Sequence, residues 1–290
     1  MICDICPRLC RAERTEEKGD GVCRMPAKLV VAKAMLHQWE EPCLSGTNGA
    51  GCIFFSGCNL GCVFCQNEKI SHDNFGKTIT PERLREMMNE LIAQGAHCID
   101  LVSPTQFTPW ILPALEAPLP VPVVWNCGGY ERVETLKTLV GKVQVYLPDL
   151  KYALPKPARE LSKAEDYFPV AAAAIDEMVR QVGPYRIGDD GLLKSGVIIR
   201  HLVLPGQLEN TRRVIDYVST HFKRGTVLFS LMSQYTPRSG ASGALSRRLN
   251  HGEYRAAVEY LQSCGITDGF CQELSSAKEE YTPSFDLSGV

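Results

Sequence analysis

Eleven consecutive residues, Gly57-Cys58-Asn59-Leu60-Gly61-Cys62-Val63-Phe64-Cys65-Gln66-Asn67, carry the densest chemistry in the chain. Three cysteines spaced C-x3-C-x2-C on a glycine-bounded loop can turn their sulfurs onto one iron–sulfur cluster, but they cannot ligate all four of its irons. A structural cluster is normally closed by four thiolates, so a three-cysteine loop points to an iron left open for a substrate or cofactor. A second group stands upstream: Cys3, Cys6 and Cys10 and, after a charged stretch, Cys23. Four sulfurs so close in sequence can close a metal site completely, either tetrahedral zinc or a fully ligated cluster. Their gaps fit neither the usual zinc pairs nor the usual ferredoxin run, so zinc and iron–sulfur both stay open. The run from Arg11 to Lys18 reads as a solvated loop, and Gly19-Asp20-Gly21 is a turn signal able to bring Cys23 back.

Composition sets the context. The chain has 290 residues and 13 cysteines, is 44% hydrophobic and 22% charged, and carries a net charge of −2. Nothing in that balance argues for nucleic acid or for an anionic membrane surface. No apolar run reaches the length of a membrane span, and the first residues lack the charged and apolar regions of a signal peptide. A cytoplasmic protein is expected. Cytosolic thiols are kept reduced, so so many cysteines are better explained by metal or cluster ligation than by disulfides.

The elements that must position these cysteines alternate between strand and helix. Apolar runs at 52–56, 98–102, 121–125, 143–147, 197–204 and 226–231 read as strands covered on both faces. Helical patterns lie at 81–94, 131–140, 171–182, 210–222 and 252–263, the first with Thr80 as N-cap and Pro81 at its first position. Six βα units suit a partial barrel better than a closed eight-stranded one. The expected fold class is thus α/β, a partial (β/α)6 TIM-like barrel at 51–274. It is preceded by a small cysteine-rich metal-binding segment at 1–50 and followed by a polar tail at 275–290, read as an extended or partly disordered cover. An apolar run at 29–36 is compatible with a strand. Glu40 and Glu41 beside Pro42 are candidates for ligands or substrate contacts, although two acids beside a proline are more often a solvated turn, and residues 45–51 read as a flexible connection. Gly188-Asp189-Asp190-Gly191 has hairpin chemistry and marks a β-ribbon inserted before the fifth strand.

In such sheets ligands sit beyond the carboxyl ends of the strands. The first end delivers the cysteine loop. The third gives Asn126-Cys127-Gly128-Gly129, where paired glycines let backbone approach a ligand and Asn126 can donate and accept; Cys127 reads as a packed side chain. The fourth gives Asp149 and Lys151, two apart and on one face, which present a carboxylate and an ammonium together to a zwitterionic ligand. On the fifth, Arg200 and His201 point to opposite faces. The sixth offers Ser230, Met232 and Gln234 on one face. No nucleophile–base pair of hydrolase type and no phosphate-cradling glycine loop stands out.

The C-x3-C-x2-C loop, with Phe64 before its third cysteine and Gln66-Asn67 after it, resembles the signature of the radical SAM superfamily. Its wording is most similar to the branch related to pyruvate formate-lyase activating enzyme. The resemblance implies a partial barrel of radical SAM type and a [4Fe-4S] cluster on Cys58, Cys62 and Cys65. S-Adenosylmethionine (SAM) would occupy the open iron and be cleaved reductively to a 5′-deoxyadenosyl radical that abstracts hydrogen. A flavodoxin- or ferredoxin-like donor is implied, and the leading substrate is a glycine of a partner glycyl-radical enzyme. The resemblance also assigns residues. Ser103 and Thr105 fall where the family receives the SAM amino group, through backbone only, because the motif differs here. Asn126 and Gly128 face the methionyl part. Asp149 helps hold a monovalent cation near SAM, Lys151 approaches the SAM carboxylate, and Arg200 reaches its ribose or carboxylate. Gln234 is read from its place at the sixth strand end, with Ser230 and Met232, as lining the adenosine or substrate side. One departure matters: extra cysteines in better-known activases follow the loop, whereas Cys3, Cys6, Cys10 and Cys23 precede it, as in uncharacterised relatives. A radical SAM enzyme acting on a peptide or small molecule, or a non-catalytic iron–sulfur or zinc protein, therefore stays in play.

Overall fold

In the computed structural model, which describes residues 1–276 and 283–290, the apolar runs become strands β1 (Leu29–His37), β2 (Ala50–Phe55), β3 (Lys77–Ile79), β4 (Ile99–Val102), β5 (Val123–Cys127), β6 (Val145–Pro148), β7 (Arg186–Ile187), β8 (Leu193–Leu202), β9 (Leu228–Met232) and β10 (Gly269–Cys271). They form one sheet in the order β10-β9-β8-β6-β5-β4-β2-β1-β3, with β7 attached to β8. Neighbours from β2 to β10 along this path are parallel, while β1 runs antiparallel to β2 and β3. Among the described residues its two ends, β10 and β3, are not paired with each other, so the barrel is open there. The six expected barrel strands are all present, and short β10 adds a seventh.

Strand alternation creates two cores and decides which side chains face the interior. Phe54, Val102, Val124, Val145, Leu147, Ile198 and Leu228 fill the inside of the barrel. Their sequence neighbours Ile53, Leu101, Trp125, Tyr146, Ile199 and Phe229 pack outward under the helices. Helix Tyr167–Val182 shows why the helices stay in place: Tyr167, Ala171, Ala174, Ile175 and Met178 form one buried stripe at helical spacing. Helix Pro81–Ala93 starts where Thr80 accepts the N–H of Arg83 at 3.2 Å, and a capping box between Asn250 and Glu253 opens helix His251–Ser263.

Several local expectations change. The helix at 131–140 shortens to Val133–Lys137. Helix Pro155–Ser162 forms where none is expected, because Pro155 and Pro157 both fall in its first turn, where a missing N–H costs little. The connection at 45–51 is ordered: Pro42–Ser45 makes a helical turn, and Ala50 and Gly51 already belong to β2. The ribbon is present, but its second strand is the start of β8 itself rather than a separate insertion. Residues 29–37, upstream of the expected barrel, hydrogen-bond along β2. Of the C-terminal tail, residues 283–290 lie along β1, where the N–H of Leu287 donates to Ala32 and that of Ala34 to Ser288, while Phe285 packs on Phe54 at 5.5 Å. Residues 277–282 lie outside the described residues. Among the described residues no helix is long and apolar enough to cross a membrane.

Candidate cluster and SAM site

The cysteine loop leaves β2 through Gly57, whose φ of +74° lies in the left-handed region. A side chain there would meet the Met25 side chain at 2.4 Å. The loop is fastened from below by Gln106, whose amide donates to the carbonyls of Ser56 (2.9 Å), Gly57 (3.1 Å) and Ser103 (2.8 Å). It is held from the side by Asn59, which donates to the Tyr130 carbonyl at 2.7 Å. Leu60 and Phe64 are buried. Backbone and anchors together turn Cys58, Cys62 and Cys65 toward one cavity of about 900 Å³.

Each of the three sulfurs has its own hydrogen-bond donor. Ser162 Oγ reaches Cys62 Sγ at 2.9 Å, Ser71 Oγ reaches Cys65 Sγ at 3.2 Å, and the Leu60 N–H points at Cys58 Sγ at 3.4 Å. The Ser162 hydroxyl is itself linked to Tyr152 Oη at 2.6 Å. Burial pushes the Cys62 thiol up to about 12, and the Lys151 ammonium pulls it back toward ionisation. Three thiols with aimed donors and a neighbouring cation are a donor set suited to an anionic sulfur cluster, so the residues fit the group that their spacing implies.

Opposite the loop, the strand ends bring four predicted side chains into one network. Arg200 Nε donates to Asp149 Oδ1 (3.1 Å), Nη1 to Glu40 Oε2 (3.2 Å) and Nη2 to Asn126 Oδ1 (2.5 Å). Lys151 Nζ donates to Asp149 Oδ2 at 2.5 Å. Burial opposes charge on Asp149, yet Lys151 and Arg200 outweigh it and hold the carboxyl below its usual range. Both oxygens of Asp149 thus already accept from protein cations. Ser103, Gly128 and Gln234 also line the cavity, as do Ser230 and Met232. Ser103 holds a left-handed φ of +57°, a strained conformation of the kind found at ligand sites. Gly129 is required structurally, since a Cβ there would strike the Asp149 carbonyl at 2.0 Å.

Other expected residues sit elsewhere. Thr105 does not line the cavity: it is buried, and its hydroxyl donates to Glu131 Oε1 at 2.6 Å. His201 faces outward as alternation requires, bridging the Leu150 carbonyl (2.7 Å) and Thr211 Oγ1 (3.0 Å). Burial lowers its pKa to about 4, leaving a neutral packing histidine. Cys127 touches the cavity but packs in the outer core.

At the N-terminus, Cys23 interacts electrostatically with Cys3 and Cys10, and Cys6 with Cys3 and Cys23. Gly21 leaves space for Cys10, whose Sγ would lie 2.9 Å from a Cβ there. These cysteines are near enough to interact, while among the described residues no three of their sulfurs lie within 4.8 Å of one another. This segment backs directly onto the cluster loop. Arg8 Nε donates to the Asn59 carbonyl (2.7 Å), and Nη2 donates to those of Ser162 (2.7 Å) and Leu60 (3.3 Å). Arg14 departs from the expected solvated run. It is 2% exposed, donates to the Gln106 carbonyl at 2.6 Å and stacks on Trp110 at 4.5 Å.

Sequence reasoning set Glu40 and Glu41 aside as a solvated turn and missed Asp100; Glu41 and Asp100 are buried and Glu40 half-buried, at or beneath the cavity. Asp100 left a signal, a lone acid inside the apolar run 98–102. Ser162 left none, because its helix was not expected.

No protein-family model matches the chain. The uncharacterized protein MJ0674 of Methanocaldococcus jannaschii is 32% identical over 277 residues, covering 91% of this chain and 75% of that protein. Two solved structures share the fold at low identity. Streptococcus suis SuiB bound to S-adenosylmethionine matches with a TM-score of 0.52 and 13% identity over 77% of this chain and 50% of that one. HydG, a maturase of the [FeFe]-hydrogenase, matches with a TM-score of 0.52 and 14% identity over 80% of this chain and 54% of that one. The chain therefore spans about half the length of these solved proteins. The chain shares its fold with SuiB and HydG, and by its sequence it belongs to the family of MJ0674.

Proposed function

We propose that the protein is a radical SAM enzyme, with Cys58, Cys62 and Cys65 ligating a [4Fe-4S] cluster and SAM completing it. The observation that carries this reading is the set of three donor-supported sulfurs facing, across one cavity, the wall formed by Asn126, Asp149, Lys151 and Arg200. When bound and reduced by a flavodoxin- or ferredoxin-like donor, the pair supplies a 5′-deoxyadenosyl radical that abstracts hydrogen. The chain's own residues do the rest. Ser162, Ser71 and the Leu60 N–H stabilise charge on the thiolates. Lys151, held by Asp149, offers an ammonium to the SAM carboxylate, with Ser103, Gly128 and Gln234 shaping the remaining wall. A monovalent cation beside Asp149 would share that carboxylate with Lys151 and Arg200. Cys3, Cys6, Cys10 and Cys23 hold a second metal centre, zinc or iron–sulfur.

The substrate assignment rests on the resemblance of the cysteine loop and places a glycine of a glycyl-radical enzyme first. The alternative, a peptide or small molecule, is favoured by the upstream position of the four-cysteine group. Anaerobic reconstitution with iron and sulfide, reduction with dithionite and chromatography should yield 5′-deoxyadenosine. A yield no higher than that of Cys62→Ala would refute the reading. Iron and zinc counts on Cys6→Ser/Cys10→Ser identify the second metal. A glycyl signal in electron paramagnetic resonance, after incubation with a glycyl-radical enzyme, separates the two substrate classes.

A further inference from the structure

The segment between β1 and β2 is folded into the barrel rather than over it. Cys43, Leu44 and Ser45 are buried, and Cys98 Sγ lies 3.7 Å from the Leu44 carbonyl. Gly46 abuts His97 and Leu192, which precede β4 and β8, so the turn plugs the amino-terminal mouth of the barrel. Glu40 and Glu41 head this plug and line the cavity. Trp39, 58% exposed, stands beside them at the cavity rim.

Beneath the strand ends the plug meets Asp100, which is fully buried on β4. Asp100 Oδ2 accepts from Asn126 Nδ2 at 3.0 Å and from Cys52 Sγ at 3.5 Å. Ligand atoms of Glu40, Cys52 and Asp100 all lie within 4.8 Å of one another. Four carboxyl groups, Glu40, Glu41, Asp100 and Asp149, are therefore served by two cations, Arg200 and Lys151. The pairs already made leave two oxygens over. Among the described residues, Glu41 Oε2 and Asp100 Oδ1 are buried without a hydrogen-bond partner, and Glu41 is only 8% exposed. Burial and the surrounding carboxylates favour protons on both acids while the cavity is empty. An unpaired buried acceptor is costly, so a donor-rich cation entering here gains what the empty site lacks.

We propose that Glu41, with Glu40 beside it on the cavity wall, receives a positively charged nitrogen group of the substrate, a primary ammonium or a guanidinium. The inference rests on the enzymatic reading above and deepens it by naming the substrate's chemical class. The unpartnered Glu41 oxygen and the Glu40 carboxylate next to it on the cavity wall call for several N–H donors on one head, which both groups supply. A divalent metal would instead sit against the Arg200 guanidinium, which already holds Glu40 at 3.2 Å. SAM is assigned its own cation and anion partners nearer the thiols, where Lys151 faces Cys62 and Cys65. The cavity, about 900 Å³, is at the upper end of the size of small-molecule sites, which leaves space for a second ligand.

The test uses reconstituted, SAM-loaded protein and calorimetric titration with n-butylamine, n-butylguanidine and, as neutral control, n-butanol. At least one cationic probe is expected to bind tenfold or more tightly than the alcohol. Glu41→Gln should remove that preference while SAM affinity, measured by equilibrium dialysis, stays within twofold. Glu41→Gln is isosteric with the protonated acid and keeps the fold. Equal binding of cations and alcohol overturns the inference, as does a preference that survives Glu41→Gln. Parallel loss of SAM affinity would assign the acids to SAM, and a stoichiometric divalent metal lost on Glu41→Gln would make this a metal site; either result overturns it. Failure of the enzymatic reading shows separately, as absence of 5′-deoxyadenosine in the wild-type protein.

Discussion

Replacing Arg200 with methionine removes the one guanidinium shared by Glu40, Asp149 and Asn126 while keeping a long apolar stem. The side chains of Arg200, Glu40 and Asp149 are 13%, 11% and 21% exposed, so solvent screens the pairs only partly. At an effective dielectric constant of about 20, one pair at this spacing has a gross attraction of roughly 5 kcal/mol, most of which is offset by desolvation. Breaking a buried pair by removing one partner costs about 3–5 kcal/mol. Asp149 keeps Lys151 and Glu40 can take up a proton, which places Arg200→Met near the lower figure, about 3 kcal/mol. For a chain of this size that corresponds to a melting temperature lower by roughly 6–12 °C. Urea denaturation of the apo protein under reducing conditions measures it, and Glu40→Gln closes a double-mutant cycle with an expected coupling of about 1–3 kcal/mol. The deficit should also depend on pH. Burial raises the folded-state pKa of Glu40, and loss of Arg200 raises it further. Such a group stabilises at low pH and loses that contribution as pH rises through its folded pKa, so the variant should recover stability on acidification. A cost below about 1 kcal/mol, zero coupling, or a deficit that grows on acidification would refute the network as drawn.

Two further outcomes follow from single contacts. Ser162→Ala removes the hydroxyl 2.9 Å from Cys62 Sγ; loss of about 0.5–1.5 kcal/mol of preference for the more negative cluster lowers its one-electron potential by roughly 20–60 mV, and a potential unchanged or raised in an electron-paramagnetic-resonance titration would contradict this. His201, with its pKa lowered to about 4 by burial, makes stability fall as pH drops from the unfolded value toward 4, by up to about 1.4 kcal/mol per pH unit; His201→Gln should flatten that slope in urea midpoints, and an unchanged slope would reject the assignment.

The barrel was legible because its signals are local. Continuous apolar runs, Thr80-Pro81 before a helix, and paired glycines at strand ends each report on their own neighbourhood. Period-two alternation was enough to send Arg200 inward and His201 outward. Glu40-Glu41-Pro42 misled because a solvated turn and a buried plug have the same composition. Ser162 was invisible because it became a neighbour of Cys62 only when helix Pro155–Ser162 packed behind the loop.

By itself, then, the sequence determined the incomplete cysteine set, the βα rhythm and the carboxylate–ammonium pair at Asp149 and Lys151, all of which depend on residue type and short spacing. Tertiary structure alone decided which acids share Arg200, which sulfurs receive donors, and that Arg8 ties the N-terminal cysteines to the cluster loop. Those outcomes join residues tens to more than a hundred positions apart, and burial, which sets the cost of an unpaired charge, exists only once the chain has closed around them.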